Sequence, residues 1–168
     1  SVRLVRDRKL NRRLAMKIIH PKLLSHRSAA ARFLEEAQVC AQLQHPNIVP
    51  VHDLGTLPDG RLYFTMKEIK GKEFTDFIDE VHKTADEDGW HETENGITFR
   101  QLIQIFHKIC ETIAYAHSLS VIHRDLKPEN VILMETSPGR YHARLLDFGI
   151  AKRTGDNEPR LTQAGMVF

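Results

Sequence analysis

Residues 121–133 read Val-Ile-His-Arg-Asp-Leu-Lys-Pro-Glu-Asn-Val-Ile-Leu, a polar run between two β-branched stretches. Buried polar side chains cost free energy unless they are paired, so this run does not suit a plain core strand. A solvated loop with a turn at Pro128 is the simplest interpretation of any one residue taken alone. The whole spacing, with Asp125 followed by Asn130, instead indicates a loop that carries chemistry.

Three further motifs lie outward from this loop. Residues 14–17 read Leu-Ala-Met-Lys within an apolar stretch, and Glu36 falls on the next predicted helix. Residues 147–149 read Asp-Phe-Gly directly after two leucines. Taken in order with the loop, these motifs resemble a protein kinase domain of the eukaryotic-like serine/threonine type found in bacteria. The resemblance covers essentially the whole chain.

The hydrophobic pattern predicts a strand-rich first part and a more helical second part. Strands are predicted at 2–6, 14–19, 48–54 and 61–67, with turn chemistry at 58–60. Helices are predicted at 30–44, at 73–81 and from Thr98 to about Ser118. Residues 82–97 read as an acidic loop, and short strand ends are predicted at 121–122, 131–134 and 145–146. The connection between Asn130 and Asp147 reads as an extended hairpin.

The last helix has the clearest start signal in the chain. Thr98 and Gln101 fit a capping box, and Ile97 and Leu102 fit a hydrophobic staple around it. The predicted apolar stripe of this helix is Leu102, Phe106, Ile109, Ile113 and Ala116. We expect the helix to be largely buried, with part of its apolar surface exposed in so short a chain.

The resemblance implies an α+β, bilobal protein-kinase-like fold that is incomplete. Residues 1–70 match a partial small lobe, rich in strands with one main helix, together with the hinge. Residues 71–168 match a partial, mostly helical large lobe with the catalytic loop and the start of the activation segment. The family's Gly-rich loop and Ala-Pro-Glu element fall outside the chain, so we expect a fragment of a longer kinase.

The resemblance also implies a role for each charged residue of the motifs. Lys17 is expected to hold the α- and β-phosphates of ATP, with Glu36 as its counter-charge. Asp125 is expected to accept the proton of the substrate hydroxyl or to orient that hydroxyl, while Lys127 offsets charge on the γ-phosphate. An outward-facing strand lysine and a surface lysine are the simpler interpretations of Lys17 and Lys127 taken singly.

Mg²⁺ is the metal that the resemblance implies. It retains waters and phosphate oxygens and takes few protein ligands, which suits Asn130 and Asp147 as the expected ligands. Arg124 is expected to pair with a phosphorylated activation loop, for which Thr162 is the preferred site and Thr154 the second candidate. Ordinary solvated threonines are the alternative.

The resemblance implies an adenine site beside the hinge, with residues from both lobes around the base. Its expected residues are Val2, Ala15 and Ile132 around the base, Met66 as gatekeeper, and the backbone of Lys67 and Ile69 at the adenine edge. Gly71 is expected to let the chain turn into the second lobe. His123, Phe148 and Cys40 are interpreted as packing residues that link the lobes. The other nine histidines show no metal-ligand spacing, so no zinc site is assigned.

The function implied is ATP-dependent phosphoryl transfer to serine or threonine hydroxyls of proteins, with possible self-phosphorylation. Activity is expected in the full-length protein and is doubtful in this fragment. A pseudokinase-like module that binds ATP or partners without catalysis is the main alternative. A small-molecule phosphotransferase of the antibiotic-kinase sort is a third interpretation, against which Lys127 and the intact Asp-Phe-Gly argue.

Composition limits the other classes of protein. The chain has 24 Lys plus Arg and 22 Asp plus Glu, a net charge of +2. Residues 1–27 hold nine basic residues and one acid, whereas residues 73–95 hold nine acids and one base. A solvated strand face is the commoner cause of such a basic stretch, so no nucleic-acid partner is predicted. No apolar run is long enough for a membrane helix, and the two cysteines suit a cytoplasmic setting, although a full-length protein could be membrane-anchored.

Overall fold

The computed structural model of the protein describes residues 1–24, 26–146 and 148. Its strands are β1 (Val2–Asp7), β2 (Arg12–Ile18), β3 (Val51–Thr56), β4 (Leu62–Lys67), β5 (Lys72–Glu73), β6 (Ala85–Asp86), β7 (Gly89–Trp90), β8 (Val131–Ser137) and β9 (Arg140–Leu145). Its helices are α1 (Arg27–Gln42), α2 (Phe74–His82) and α3 (Phe99–Ser118), and Pro21–Leu23 and Pro128–Asn130 form 3₁₀ turns. No helix in this described part is long and apolar enough to cross a membrane.

The small lobe is an antiparallel sheet covered by one helix. Strand order is β1-β2-β4-β3, and all four strands lie within three residues of their predicted bounds. The predicted turn at 58–60 joins β3 to β4, with Gly60 at a φ of 84° that favours glycine. Phe33 of α1 packs on Phe64 of β4 with ring centroids 5.2 Å apart, and this contact holds α1 over the sheet.

The large lobe combines α2 and α3 with a three-stranded sheet in the order β5-β8-β9. The extended hairpin predicted between Asn130 and Asp147 is confirmed as β8 and β9. The main hydrophobic core joins buried residues of this lobe, such as Ile109 and Leu133, to Val39 and Leu43 from the small lobe. The two lobes therefore share one core, and the described residues agree with an incomplete α+β, bilobal fold.

The loop between α1 and β3 is bonded to the large lobe. The N–H of Leu145 donates to the carbonyl oxygen of Asn47 at 2.7 Å, and Ile48 forms a parallel bridge with Leu145. Residues 47–49 thus pair with β9 instead of β4, which explains why β3 begins three residues later than the predicted strand at 48–54. The sequence does not show this competition between two partner strands.

The helix α1 also differs from its prediction at both ends. It begins three residues earlier than 30–44, where the N–H groups of Ala29 and Ala30 bond to the carbonyl oxygen of His26. It ends at Gln42, because Leu43 takes an extended conformation and is buried in the core. The stop predicted at the His45-Pro46-Asn47 segment is therefore reached two residues sooner.

The acidic loop predicted at 82–97 contains a short hairpin, β6 and β7. The carboxylate of Asp86 accepts hydrogen bonds from the N–H groups of Asp88 and Gly89, and Gly89 has a φ of 128°. The ring of Trp90 lies between His82 and Phe99, at centroid distances of 4.9 and 4.8 Å. The turn chemistry of Asp-Glu-Asp-Gly and this aromatic contact order a segment whose charge suggested a plain loop.

The capping box of α3 is confirmed, but its predicted apolar stripe is partly wrong. Thr98 and Gln101 exchange both hydrogen bonds of the box. Phe106 is 54% exposed, and the buried residues of α3 are instead Leu102, Ile105, Ile109, Thr112 and Ala116. The helix carries apolar residues on two sides, and the position of the β8–β9 sheet decides which side is buried. The expectation that some apolar surface stays exposed is confirmed by Phe106 and Ile103.

Candidate active site

Lys17 and Glu36 form an ion pair between the small-lobe sheet and α1. Lys17 Nζ lies 2.6 Å from Glu36 Oε1, and the two side chains are 20% and 8% exposed. Nζ also lies 5.8 Å from the ring centroid of Phe64. Low exposure strengthens the pairing of opposite charges, and the remaining exposure leaves the ammonium accessible to an anionic ligand. The two residues that the sequence motifs relate are thus in direct contact.

The loop after α3 brings three of the predicted site residues together. Asn130 Nδ2 donates to the carbonyl oxygen of Asp125 at 2.7 Å and to its carboxylate Oδ2 at 3.0 Å. Lys127 Nζ lies 3.6 Å from the same Oδ2. All three side chains reach solvent, since Asp125 and Lys127 are exposed and Asn130 is half-buried. The Pro128–Asn130 turn and the bonds from Asn130 therefore hold a carboxylate and a cation at an open surface.

Three packing residues support the loop that carries Asp125. His123 is 2% exposed, its ring lies 4.6 Å from that of Phe148, and its Nε2 lies 3.1 Å from the carbonyl oxygen of Leu146. Phe148 and Cys40 belong to the core that the lobes share. The interpretation of His123, Phe148 and Cys40 as packing residues is confirmed.

Arg124 has a backbone conformation that is uncommon for a residue with a side chain. Its φ is 62°, in the left-handed region, and its side chain is exposed beside the buried His123. The strained backbone lets neighbouring residues point in opposite directions, with one in the core and the next in solvent. The predicted partner of Arg124, Thr162, and the alternative Thr154 lie outside the described residues.

The residues predicted to surround adenine lie on facing elements. Ala15 of β2 is buried and pairs with Met66 of β4, and Leu14 pairs with Lys67. Ile132 lies on β8 of the large lobe and pairs with Glu73. Val2 is 57% exposed at the start of β1 and pairs with Lys17. Ile69 follows β4 and is half-buried.

The structure adds a second physical reason for Gly71, beside the predicted turn into the second lobe. Its φ is ordinary, but a Cβ at this position would collide with the carbonyl oxygen of Leu133 and the side chain of Ile132. Only glycine allows the segment after β4 to pass this close to β8. The chain bends at Gly71 as expected, and the close approach to β8 explains why a side chain is excluded there.

Asn130 and Lys17 present groups that suit a metal-bound nucleotide. The amide nitrogen of Asn130 is engaged by Asp125, so the amide oxygen is the atom left to face a cation. The cation Lys17 lies in the first lobe, where it suits phosphate oxygens. These features fit Mg²⁺ and a nucleotide. The other predicted ligand, Asp147, lies outside the described residues, and no group of three potential metal ligands occurs among those described.

Two connections near the site were not predicted. Arg13 of β2 lies 2.9 Å from Glu68, whose side chain is 12% exposed, and this ion pair ties the segment after β4 to the sheet. Asn47 Nδ2 donates to Thr112 Oγ1 at 2.9 Å, and both side chains are buried. A buried asparagine needs a partner, but the sequence does not say that the partner lies on α3.

Burial lowers the pKa of two basic side chains in the same region. It lowers the pKa of His45, whose Nδ1 accepts a hydrogen bond from the N–H of Asn47 at 3.1 Å. It likewise lowers the pKa of the Arg144 guanidinium, which donates to the carbonyl oxygen of Pro46. The loop between α1 and β3 therefore depends on a neutral His45 and on a donating Arg144.

The sequence of the chain is similar to sequences of known proteins. Residues 1–166 match the family model described as "Protein kinase domain". The chain is 37% identical to Serine/threonine-protein kinase PknD of Protochlamydia amoebophila over 84% of its length. It is 33% identical to Serine/threonine-protein kinase pkn3 of Myxococcus xanthus over 96%, and 32% identical to Serine/threonine-protein kinase PknB of Mycobacterium tuberculosis over 99%. The matches span 14%, 28% and 24% of these three relatives, respectively.

Proposed function

The chain belongs to the protein kinase domain family, and from that premise we propose that its full-length protein transfers the γ-phosphoryl group of ATP to serine or threonine hydroxyls of proteins. The observation that carries the proposal is the contact of Asp125 with both Lys127 and Asn130 at an exposed surface. We propose the division of the chain into lobes at residues 1–70 and 71–168, so that the nucleotide lies between them.

Asp125 is the residue that we assign to the substrate hydroxyl. Its carboxylate accepts the proton of that hydroxyl, or orients the hydroxyl by a hydrogen bond. The hydroxyl oxygen bonds to the γ-phosphorus while the bond from that phosphorus to the bridging oxygen breaks, and ADP leaves. The hydrogen bond from Asn130 Nδ2 to Oδ2 orients the carboxylate, and a second bond from the same nitrogen goes to the backbone carbonyl oxygen of Asp125. Lys127 Nζ, on the same carboxylate, is positioned to offset the negative charge of the transferred group.

Lys17 is the residue that we assign to the α- and β-phosphates. Its ion pair with Glu36 holds the ammonium in place, so less side-chain freedom is lost when phosphate oxygens bind. Mg²⁺ supplies charge neutralisation at the phosphates when bound, and Asn130 with Asp147 would hold it. The base would lie against Val2, Ala15 and Ile132, with Met66 behind it and the backbone of Lys67 and Ile69 at its edge.

Self-phosphorylation is the regulatory part of the proposal. The exposed Arg124 would pair with phosphate on Thr162, because a guanidinium bonds phosphate oxygens in a bidentate manner. The reaction would take place in the cytoplasm, where ATP is abundant. Mapping of phosphorylated residues in protein incubated with Mg-ATP tests self-phosphorylation. A Thr162 that carries no phosphate after prolonged incubation would contradict the assignment.

The experiment compares the full-length protein with its Asp125→Asn and Lys17→Met variants, using radiolabelled ATP and a general protein substrate. We expect each variant to lose at least about a hundredfold in rate, since Asp125→Asn removes the carboxylate that acts on the substrate hydroxyl and Lys17→Met removes the cation that holds the α- and β-phosphates. Asp76→Asn, on the exposed face of α2, is the matched control and should retain the parent rate.

Two outcomes separate the alternatives. Nucleotide binding by the parent protein with no transfer above the Asp125→Asn level would replace the enzyme with a pseudokinase-like binding module. Labelling of a small molecule, but not of serine or threonine in proteins, would indicate a small-molecule phosphotransferase instead of a protein kinase. Phosphoamino acid analysis of the labelled protein distinguishes serine and threonine from tyrosine.

A further inference from the structure

A groove of about 1090 Å³ lies between α3 and the β8–β9 hairpin. Its helical wall comes from residues 101–108, in the first half of α3, and its other wall from residues 136–142 around the hairpin turn. The loop with Asp125 follows the opposite end of α3, so at 1.5 Å per residue the groove is about 15 Å or more from it along the helix. The groove is therefore separate from the proposed active site.

Basic side chains occur on both walls of the groove. Lys108 and His107 come from α3, and Arg140 and His142 come from β9. No aspartate or glutamate is among the described residues that line it. Arg140 is exposed and takes no part in the salt bridges found among the described residues. Its guanidinium is therefore available to a carboxylate from outside.

Two carboxylates lie next to the groove, Glu111 on α3 and Glu135 on β8, whose Oε1 accepts a hydrogen bond from the N–H of Gly139 at 3.2 Å. Glu111, one turn beyond Lys108, accepts a hydrogen bond from Lys108 Nζ at 2.8 Å and lies 3.8 Å from His107 Nδ1. Both members of the Lys108–Glu111 pair are about half exposed or more, and such a pair contributes little stability. The ammonium of Lys108 has further N–H donors, so it can bind a carboxylate in the groove without losing its hydrogen bond to Glu111.

The groove also has apolar anchoring points on a rigid base. Ile103 is 52% exposed on the helical wall, and Pro138 lies on the opposite wall. Tyr141 is fixed by an edge-on contact with Phe77 at a centroid distance of 4.9 Å. Gln101 Nε2 donates to the carbonyl oxygen of Gly139 at 3.2 Å, which ties the hairpin turn to the helix. Preformed walls lower the entropy cost of binding.

We propose that this groove docks an acidic linear peptide segment of a partner protein. Its carboxylates would pair with Arg140 and Lys108, and its apolar side chains would contact Ile103 and Pro138. The walls supply two permanent cations together with apolar surface, which suits a peptide better than the closely spaced phosphates of a nucleic acid. The inference concerns binding alone and does not depend on phosphoryl transfer.

The test measures fluorescence anisotropy of a labelled peptide of mixed glutamate and leucine against the purified protein. We expect saturable binding that weakens with salt, and a loss of about tenfold or more in affinity for Arg140→Glu, because attraction becomes repulsion. Lys108→Glu should act in the same direction, and Ile103→Ser should weaken binding without changing the salt dependence. Circular dichroism and thermal melting establish that each variant is folded.

Arg8→Glu is the matched control, because it makes the same change in net charge at the exposed turn between β1 and β2. It should leave the affinity within about twofold of the parent value. Equal loss in Arg8→Glu and Arg140→Glu would overturn the proposal in favour of non-specific charge attraction. Unchanged binding in both Arg140→Glu and Lys108→Glu, or tighter binding of a single-stranded oligonucleotide than of the peptide, would also overturn it.

Discussion

Asn47 donates a hydrogen bond from its amide Nδ2 to the hydroxyl oxygen of Thr112, at 2.9 Å. Thr112 is completely buried on α3, and Asn47 is 8% exposed in the loop between α1 and β3. The same hydroxyl donates to the carbonyl oxygen of Lys108 at 2.7 Å, so both of its functions are used. The bond connects the loop that follows α1, the helix of Glu36, with α3, the helix that precedes the loop of Asp125.

Thr112→Val tests the strength of this connection. Valine has the same shape but leaves the Asn47 amide buried without its acceptor, so we expect a loss of about 1 to 3 kcal/mol in the free energy of unfolding. Urea denaturation followed by circular dichroism measures the change. Thr56→Val, at an exposed position on β3, is the control and should change stability by less than about 0.5 kcal/mol. Equal effects of the two variants would show that the bond contributes nothing.

Glu36→Gln tests the ion pair with Lys17. The amide keeps the size of the side chain but removes the charge that holds the ammonium, so we expect the phosphoryl-transfer rate to fall about tenfold or more. The loss should be smaller than in Lys17→Met, in which the phosphate-binding cation itself is absent. Glu35→Gln makes the same chemical change at the exposed neighbouring position of α1 and should have no effect. Steady-state kinetics with varied ATP measures all three variants.

Thr98→Ala tests the capping box of α3. The hydroxyl of Thr98 accepts a hydrogen bond from the N–H of Gln101 at 3.3 Å, and the side chain of Gln101 accepts one from the N–H of Thr98 at 2.7 Å. Loss of the cap should lower the free energy of unfolding by about 1 kcal/mol. Thr98→Ser retains the hydroxyl and should recover most of that loss in the same denaturation experiment. A serine variant as unstable as the alanine variant would attribute the effect to the lost methyl group.

The lowered pKa of His45 leads us to expect a specific dependence of stability on pH. Burial holds its pKa in the folded state below the ordinary value of 6.5, so the unfolded chain binds a proton at this site more readily than the folded one. The contribution of a neutral His45 is complete above about pH 6.5, and it is lost as the pH falls from there through the lower pKa of the folded state. Protonation of Nδ1 would also break its hydrogen bond from the N–H of Asn47.

The measurement is urea denaturation of the parent and His45→Asn from pH 8 to pH 5. Asparagine offers an acceptor oxygen in this loop but does not titrate, so the variant should lose less stability than the parent as the pH falls. His117→Asn, at an exposed position near the end of α3, is the control for replacing a histidine with asparagine. A parent and a His45→Asn variant with parallel pH profiles would contradict the assignment.

The motifs predicted much of the fold and the candidate site, because their roles depend on local chemistry. The spacing from Asp125 to Asn130 is short enough for one 3₁₀ turn to bring the two side chains together, and the structure shows that contact. The capping box of Thr98 and the turn at Gly60 are equally local, and both were predictable from the residues that form them.

The missed features depend on partners that are distant in the sequence. Phe106 and Ile105 are adjacent apolar residues of α3, and only the position of the β8–β9 sheet determines that Ile105 is buried and Phe106 exposed. The hairpin of β6 and β7 depends on the stacking of Trp90 between His82 and Phe99, which an acidic composition does not indicate.

The sequence by itself determined the family, the order of the longer strands and helices, and the residue types of the candidate site, because these follow from motifs and from hydrophobic periodicity within short segments. Only the tertiary structure decided that Asn47 bonds to Thr112, that Gly71 is required by the carbonyl oxygen of Leu133, and that a basic groove opens beside Arg140. Each of these contacts joins segments far apart in the chain, and their approach is set by the packing of the shared core rather than by any local preference.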